Sequence, residues 1–444
     1  MKRKILLILL AACLGLTACQ GQSQPGTNPS APAPGNQPTP AEQPAPTGET
    51  ASELTEGRLD EAATEPAPSV PVPVVPDLPA AEGLGFNSLD GKLIAFLKDN
   101  GKENESFTVS PLSFKAALAL TALGAEGETQ RQILDALGFE TVQEMCDWYD
   151  SVLVGTADFD GRIMGQDKAD TAYRIVNAIF QNADCDGEFQ ESYKELVAKT
   201  LAAQASAAPA GELTEAINHW VNDQTNGMIP NLVQDASQAA SVLVNALYLR
   251  TKWIEPFHES EKTSFTTAAG NAVQKEFIQK TEKFRYFEDE GCQMVVIPLQ
   301  GGIQMALVLG DGSDLAGKLE NAEYRKVHVS LPKFEVETSL DDKELVRYLQ
   351  AVGCERMFAD GGVAQFDPMF TKEIYVDDII QKAKVKVDEN GLEAAAATAV
   401  IMVRATAMPN PEQPVEFTAD HPFQFVIFRE DAAPELLFWG QIVD

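Results

Sequence analysis

Histidine and serine are the residue types that most often carry metal-dependent or nucleophilic hydrolysis, and their spacing here supports neither reaction. The histidines never form the His-Glu-x-x-His pattern that places two zinc ligands on one helix face; they are His219, His258, His328 and His421. No Gly-x-Ser-x-Gly elbow, which exposes the nucleophilic serine of many hydrolases, occurs. The chain therefore predicts no enzyme, no metal site and no cofactor.

Segment 182–193 carries an incomplete calcium-loop pattern. Asn182, Asp184, Asp186 and Gly187 follow the order of the first positions of an EF-hand loop. The twelfth position, which must supply a bidentate glutamate, is Tyr193. The segment therefore predicts no calcium site.

The cysteines beyond the N-terminal region show neither redox nor metal spacing. Cys146, Cys185, Cys292 and Cys354 are far apart and form no Cys-x-x-Cys pair. We expect all four to be buried free thiols, because free cysteine packs as a small apolar residue.

Charge and composition exclude one class of partner. The formal net charge is −32 and the sequence pI is about 4.4, so the chain repels nucleic acid and we predict no nucleic-acid partner. Hydrophobic residues make up 44% of the chain, which is ample for a folded core.

Local patterns predict several elements of this core. Ser110 before Pro111 makes a good helix start. A second helix is predicted from Ala216 and stops near Gly227. Apolar or alternating runs predict strands at 241–249, 303–309 and 326–331.

The stretch 384–406 is the segment around which the domain is organised. Val385 and Val387 alternate with lysines as in a strand, and a polar turn ending at Gly391 follows. Four alanines and a β-prone run come next. One interpretation is a surface strand, a turn and a short alanine helix. The other is a segment that is able to be loop or strand, because small side chains enter between two existing strands without clashing.

This stretch resembles the hinge and reactive loop of the serpins, the serine-protease-inhibitor fold. The matching hinge residues are Glu389, Gly391, Glu393, Ala394, Ala395, Ala396, Ala397 and Thr398. Leu392 departs from the family, which usually has Thr or Ser there. Because that position enters the sheet first, a bulkier side chain can slow insertion, although an apolar side chain costs far less there than a charge.

Other blocks resemble the serpins in the same order from residue 84 to residue 444. Ser110, Ser113 and Asn245 match the shutter, the polar cluster beneath the point where the central sheet opens, and Trp253 matches the breach. Gln381 stands where inhibitory members commonly have His, and it cannot titrate near neutral pH. The resemblance implies an α+β fold with three β-sheets, about eight or nine helices and an exposed reactive loop.

The N-terminal region reads as an export signal and a tether. Residues 1–18 join a basic start to a short apolar run, and the sequence ending at Cys19 resembles a bacterial lipobox, so Cys19 is expected to carry lipid. The alternative is an ordinary signal peptide. Residues 19–83 are Pro-rich and expected to be a disordered tether, and 84–444 form the serpin domain. We expect an exported protein, anchored to the bacterial envelope and facing outward.

The resemblance implies suicide inhibition of a serine protease through a covalent acyl complex, by a monomer. The family spacing, about sixteen residues after Glu389, places the cut at Ala405–Thr406, which suits elastase-like or subtilisin-like enzymes. A loop one residue shorter places it at Arg404–Ala405, which suits trypsin-like enzymes. No heparin binding is expected, because 140–150 contains no Lys or Arg. A non-inhibitory serpin that acts as a binding module, and a hydrolytic enzyme, are the alternatives.

Overall fold

The computed structural model describes residues 89–163, 171–340, 343–392, 413–430 and 435–444. The signal peptide, the tether and Cys19 lie outside these ranges. So do the hinge from Glu393 to Thr398 and the reactive bond, whether it is Ala405–Thr406 or Arg404–Ala405. The predictions made for these residues stay predictions.

Eight α-helices occur in the described ranges. They are α1 Leu89–Leu97, α2 Pro111–Gly124, α3 Gly127–Leu137, α4 Val142–Arg162, α5 Glu191–Leu201, α6 Ala210–Gln224, α7 Leu315–Glu320 and α8 Glu344–Ala351.

Seventeen strands accompany the helices in the same part of the chain. The first eight are β1 Phe107–Val109, β2 Ala172–Asn182, β3 Gln204–Ala208, β4 Ser241–Lys252, β5 His258–Glu259, β6 Thr263–Thr266, β7 Ala272–Lys275 and β8 Phe277–Asp289. The others are β9 Cys292–Pro298, β10 Ile303–Gly310, β11 Glu323–Pro332, β12 Phe334–Leu340, β13 Asp378–Val387, β14 Gly391–Leu392, β15 Val415–Thr418, β16 Phe423–Arg429 and β17 Glu435–Ile442.

The strands form three sheets. A nine-stranded sheet runs β1-β17-β16-β10-β9-β8-β11-β15, with β5 paired to β8, and a separate hairpin joins β6 and β7. The six-stranded sheet, in which β12, β13, β14, β4, β2 and β3 follow one another, carries the predicted site. The expected α+β architecture of three sheets and about eight or nine helices is confirmed for the described residues.

Helix α2 supports the six-stranded sheet from the inner side, where it packs against β2 and β4. It starts as the sequence predicts. Pro111 occupies the first turn, and the Ser110 side chain accepts a hydrogen bond from Ser113 N at 3.2 Å. Every residue of α2 except Lys115 is buried, so the helix belongs to the core on all sides. Its N-terminus therefore holds Ser110 and Ser113 in a fixed place beneath the sheet.

Strand β4 separates two packed layers by simple alternation. Val242, Val244, Ala246 and Tyr248 belong to the cluster that includes the buried face of α6, whereas Leu243, Leu247 and Leu249 belong to the main core. Helix α6 begins at Ala210, directly after Pro209, and not at the predicted Ala216. Its first turn contains Gly211 and Glu212, so hydrophobic periodicity did not show the start.

The expectation of four buried thiols is wrong for two cysteines. All four are free, but Cys185 is exposed in the turn after β2 and Cys146 is only partly buried. Burial raises the pKa of Cys292 to about 11 and that of Cys354 to about 12, so these two thiols are unreactive at neutral pH.

In the described ranges no helix is long and apolar enough to cross a membrane, and no group of side chains could hold a metal ion.

Candidate functional site

The candidate site is the boundary between β4 and β13, which we call the seam. At one end the two strands pair directly and in parallel, Asp378–Gln381 against Val242–Asn245. At the other end β14 lies between them and is antiparallel to both. Leu392 there pairs with Thr251 on one side and with Val387 on the other. The seam is therefore closed at the Gln381 end, the shutter end, and already parted at the Leu392 end, the hinge end.

Leu392 fills the parted end. Its side chain is buried and lines a small apolar cavity with Met228, Leu249, Val385, Lys384, Lys386, Ile427 and Phe438. Burying a leucine side chain contributes about 1.5–3 kcal/mol, so this residue favours the paired position of the hinge. The hydrophobic side chain that replaces the usual Thr or Ser holds the start of the hinge inside the sheet.

Gly391 lets the chain pass close to β4. Its φ is +152°, and a Cβ atom there would lie 2.3 Å from the carbonyl oxygen of Thr251. A side chain is therefore excluded by the neighbouring backbone as well as disfavoured by the dihedral angle. The glycine predicted for the hinge is required by this contact.

A tight turn joins β13 to β14. The Asp388 side chain accepts hydrogen bonds from the backbone N–H groups of Asn390, at 2.8 Å, and Gly391, at 3.2 Å. Burial raises the pKa of Asp388, and these two bonds oppose that effect. The side chain thus replaces a backbone turn at the entrance to the hinge.

Trp253 holds this turn against the end of β4. Its Nε1–H donates to the carbonyl of Asp388 at 2.9 Å, and its backbone N–H donates to the carbonyl of Asn390 at 3.0 Å. The backbone N–H of Phe257 donates to the carbonyl of Glu389 at 2.8 Å, and the Phe257 ring packs 5.2 Å from that of Trp253. Three consecutive hinge carbonyls are therefore bound by one short segment.

An ion-pair cluster completes the hinge end. Lys333, between β11 and β12, lies 2.7 Å from a carboxylate oxygen of Glu389 and 2.5 Å from one of Glu259. Burial alone lowers the pKa of Lys333, but the two carboxylates outweigh burial and raise it overall. Burial likewise raises the pKa of Glu389, and the Lys333 ammonium outweighs it and holds that pKa below its usual value.

The contacts of Gln381 at the shutter end are neutral. Gln381 Oε1 accepts a hydrogen bond from the backbone N–H of Ser110 at 3.1 Å, and Gln381 Nε2 donates to the carbonyl of Ser110 at 2.9 Å. One amide side chain therefore satisfies both backbone groups of the residue that caps α2. A side chain with one donor and one acceptor performs this role without any titration.

The Asn245 side chain forms its hydrogen bond with β2 and not with Gln381, although Asn245 and Gln381 are paired across the seam. Asn245 Nδ2 donates to Asn177 Oδ1 on β2, and Asn177 Nδ2 donates to the Tyr149 hydroxyl of α4 at 2.6 Å. Neither Asn177 nor Tyr149 was predicted from the sequence as a site residue. A buried asparagine inside the apolar run Arg174–Phe180 is the signal that could have found the first of them.

The structure brings the described site residues together in two groups. Ser110, Ser113, Asn245 and Gln381 meet at the shutter end, and Trp253, Glu389, Gly391 and Leu392 meet at the hinge end. Both groups border the same seam, which is where a further strand would have to enter the sheet.

Comparisons with known proteins agree with this arrangement. The family model described as Serpin (serine protease inhibitor) matches residues 91–444. The leukocyte elastase inhibitor of Sus scrofa is 31% identical over 372 residues, which cover 75% of this chain and 92% of that protein. The leukocyte elastase inhibitor of Homo sapiens is 28% identical over 379 residues, which cover 79% of this chain and 95% of that protein.

Solved structures share the fold. Serpin48 of the insect Tenebrio molitor superposes with a TM-score of 0.66 at 26% identity and covers 81% of this chain and 96% of its own. The thermophilic serpin tengpin, in its native state, gives a TM-score of 0.68 at 24% identity. The superposition covers 81% of this chain and 93% of tengpin. Because the family model spans most of the chain and the Sus scrofa relative exceeds 30% identity, the chain belongs to the serpin family.

Proposed function

We propose that this chain inhibits a serine protease by a suicide mechanism in which its cleaved reactive loop enters the seam. One observation carries the proposal. Gly391 and Leu392, the first hinge residues, already lie between β4 and β13 and run antiparallel to both. The rest of the loop would only have to continue in the same direction. Relatives that cover this domain are named as inhibitors of leukocyte elastase, which supports inhibition as the activity.

The register of β14 tells where the following residues would go. Leu392 pairs with Thr251 and Val387, so the residue six positions later pairs with Asn245 and Gln381. That residue is Thr398, which would reach this pairing only after insertion. Alternate residues share one face of a strand, so Ala394, Ala396 and Thr398 would follow Leu392 on the buried face. The alanines add little volume, and the Thr398 hydroxyl would meet the polar shutter end.

The chemistry follows from the attack on the loop. The protease serine Oγ bonds to the carbonyl carbon of Ala405, the bond from that carbon to the Thr406 nitrogen breaks, and the new amine of Thr406 takes up a proton. The loop remains joined to the protease through an ester. Insertion of about 14 residues makes a strand about 45 Å long and carries the protease with it. Distortion of its oxyanion hole then slows attack of water on the ester.

Two cut sites with different targets stay in the proposal. Ala405–Thr406, the preferred one, suits elastase-like or subtilisin-like proteases, and Arg404–Ala405 suits trypsin-like ones. The full-length chain is to be mixed with one protease of each kind, and covalent complexes are detected on denaturing gels. A complex with an elastase-like enzyme and a released fragment that starts at Thr406 are expected.

Other outcomes separate the alternatives. A fragment that starts at Ala405, with tight trypsin inhibition, would transfer the cut to Arg404–Ala405. Rapid cleavage by every protease without a denaturant-resistant complex would overturn inhibition and favour a non-inhibitory binding module. Turnover of an ester substrate would revive the hydrolytic alternative.

The setting of the inhibitor is part of the proposal. We infer export and acylation at Cys19, with the domain outside the cell on its tether; replacing Cys19 by Ser should release the protein from the membrane fraction. Heparin should not accelerate inhibition, because the exposed acidic residues Glu140, Glu144, Asp147 and Asp150 lie just before α4 and in its first half, and 140–150 contains no Lys or Arg.

A further inference from the structure

Three amide side chains form a row across the six-stranded sheet. Asn177 on β2 pairs with Asn245 on β4, and Asn245 pairs with Gln381 on β13. Directly opposed residues project from the same side of a sheet, so the three amides are neighbours. All three are buried. The seam passes between the second and the third.

The row is bonded on both sides of the seam but not across it. Gln381 uses both amide atoms on the backbone of Ser110. Asn245 uses Nδ2 on Asn177, and its Oδ1 is buried and has no hydrogen-bond partner among the described residues. An unsatisfied buried acceptor is costly, and Gln381 lies opposite in register. Something must keep Asn245 turned toward β2.

Tyr149 is the group at the far end of the row. Its side chain is fully buried on α4, and its hydroxyl accepts the hydrogen bond from Asn177 Nδ2. Burial raises the pKa of this phenol, so it stays neutral at any physiological pH. The hydroxyl fixes the Asn177 amide, and the fixed amide in turn holds Asn245.

We propose that Tyr149 is a positioning residue that holds the row of amides on the β2 side and so leaves the seam free to open. Without the hydroxyl, Asn177 is released and Asn245 can bond to Gln381 across the seam. That bond would join β4 to β13 at the place a new strand has to pass. This role rests on the proposed function, because it matters only if the sheet takes up a strand.

The test measures strand uptake without a protease. A synthetic peptide with the sequence of residues 393–406 is incubated with the full-length chain, and uptake is followed on native gels. Tyr149→Phe should take up the peptide about fivefold more slowly than the natural chain, the rate change that one net hydrogen bond produces. Uptake at an equal or higher rate overturns the inference, as does failure of the natural chain to take up the peptide.

Tyr193→Phe is the matched control. Tyr193 is equally buried, and its hydroxyl donates to the carbonyl of Leu120 at 3.0 Å, which does not belong to the row of amides. It should lose similar thermal stability and keep the natural uptake rate. If both variants slow uptake equally, the effect is general loosening and the inference fails.

A second pair of variants isolates the bond across the seam. In a Gln381→Met background, Tyr149→Phe should have no further effect on uptake; a persistent effect contradicts the mechanism. If Tyr149→Phe does not fold, Asn177→Ala replaces it as the test, because it also releases Asn245. Asn177→Ala should slow peptide uptake about as much as Tyr149→Phe. If peptide uptake behaves as predicted but no protease forms a covalent complex, the proposed function fails while the role of Tyr149 stands.

Discussion

The two ends of the seam are built from different chemistry. The shutter end joins β4 and β13 directly and adds neutral hydrogen bonds between the Gln381 amide and the Ser110 backbone. The hinge end is held apart by Leu392 and secured by an indole, backbone bonds and the ion pair of Lys333 with Glu389. An ion pair therefore lies at the end where the proposed insertion would begin, and neutral hydrogen bonds lie at the end that would part last.

This difference gives two carboxyl groups of the seam opposite responses to acid. A depressed pKa, as at Glu389, contributes stability that is present above the unfolded value and lost as the pH falls. A raised pKa, as at Asp378 beside the shutter end, contributes stability that is present at low pH and lost as the pH rises. Acid should therefore weaken the Glu389 ion pair, whereas the raised pKa of Asp388 in the same turn acts in the opposite direction.

The largest effect is expected midway along the seam. In the register of β14, Ala396 would pair with Leu247 and Ala383, both buried. Ala396→Arg would place an unpaired charge there at a cost of about 3 kcal/mol or more. The protein should then be cleaved as a substrate, measured as a rise in the inhibitor-to-protease stoichiometry.

Ala396→Ser is the control for this change, because it adds one small hydroxyl and no charge. It should inhibit nearly as well as the natural chain. An unchanged stoichiometry for Ala396→Arg contradicts insertion along the seam.

The next effect tests the hinge end. Trp253→Ala removes a fully buried indole and its bond to Asp388, and should lower the free energy of unfolding by about 3–5 kcal/mol in urea titrations. Trp220→Ala, on the half-buried face of α6, should cost clearly less. Equal losses would mean that Trp253 has no special part in the hinge end.

A smaller effect belongs to the ion pair. Glu389→Gln removes the charge opposite Lys333 and should cost about 1 kcal/mol at pH 7, since both side chains are only partly exposed. The difference from the natural chain should shrink below about pH 4.5, the usual carboxyl range, because the natural carboxylate then loses its charge. Glu259→Gln changes the more exposed partner of the same lysine and should cost less. A difference that does not change between pH 7 and pH 3 would exclude a charge effect.

The smallest effect has the opposite sign and lies at the shutter end. Burial raises the pKa of Asp378 to about 6, while a bond from the Ile379 N–H opposes the rise. The natural chain should therefore lose stability as the pH rises from about 4 to 6. Asp378→Asn keeps an acceptor for Ile379 and should be more stable at pH 7.5, by less than about 1 kcal/mol after solvent screening. Melting temperatures across this range check it; a variant that is less stable at pH 7.5 contradicts the assignment.

The sequence predicted what depends on local pattern. Strands β4, β10 and β11 follow from apolar or alternating runs, and the start of α2 follows from Ser110 and Pro111. The start of α6 was misplaced because its first turn carries the polar residue Glu212. The exposure of Cys185 was not predicted, because it follows from the position of this residue in a surface turn and not from the apolar character of cysteine.

Contacts between distant segments were beyond the sequence. The residues of both seam ends were named from the family resemblance, but nothing local shows that Leu392 pairs with two strands or that Asn245 bonds to Asn177. The hydrogen bond from Asn177 to Tyr149 joins strand β2 to helix α4, and no local sequence pattern in either element predicts this contact. Such links follow from tertiary packing, which side-chain periodicity does not encode.

The position of β17 between two other strands determines when the nine-stranded sheet can be completed during synthesis. This strand follows all the other described strands in the chain, lies between β1 and β16, and is buried along its whole length. A chain in which β17 is still inside the ribosome therefore lacks an inner strand of its nine-stranded sheet, and the edges of β1 and β16 that β17 covers stay exposed. Pairing of β1 with β17 is also slow to form, because a long loop must close first. The nascent domain thus depends on protection from aggregation until β17 has been released.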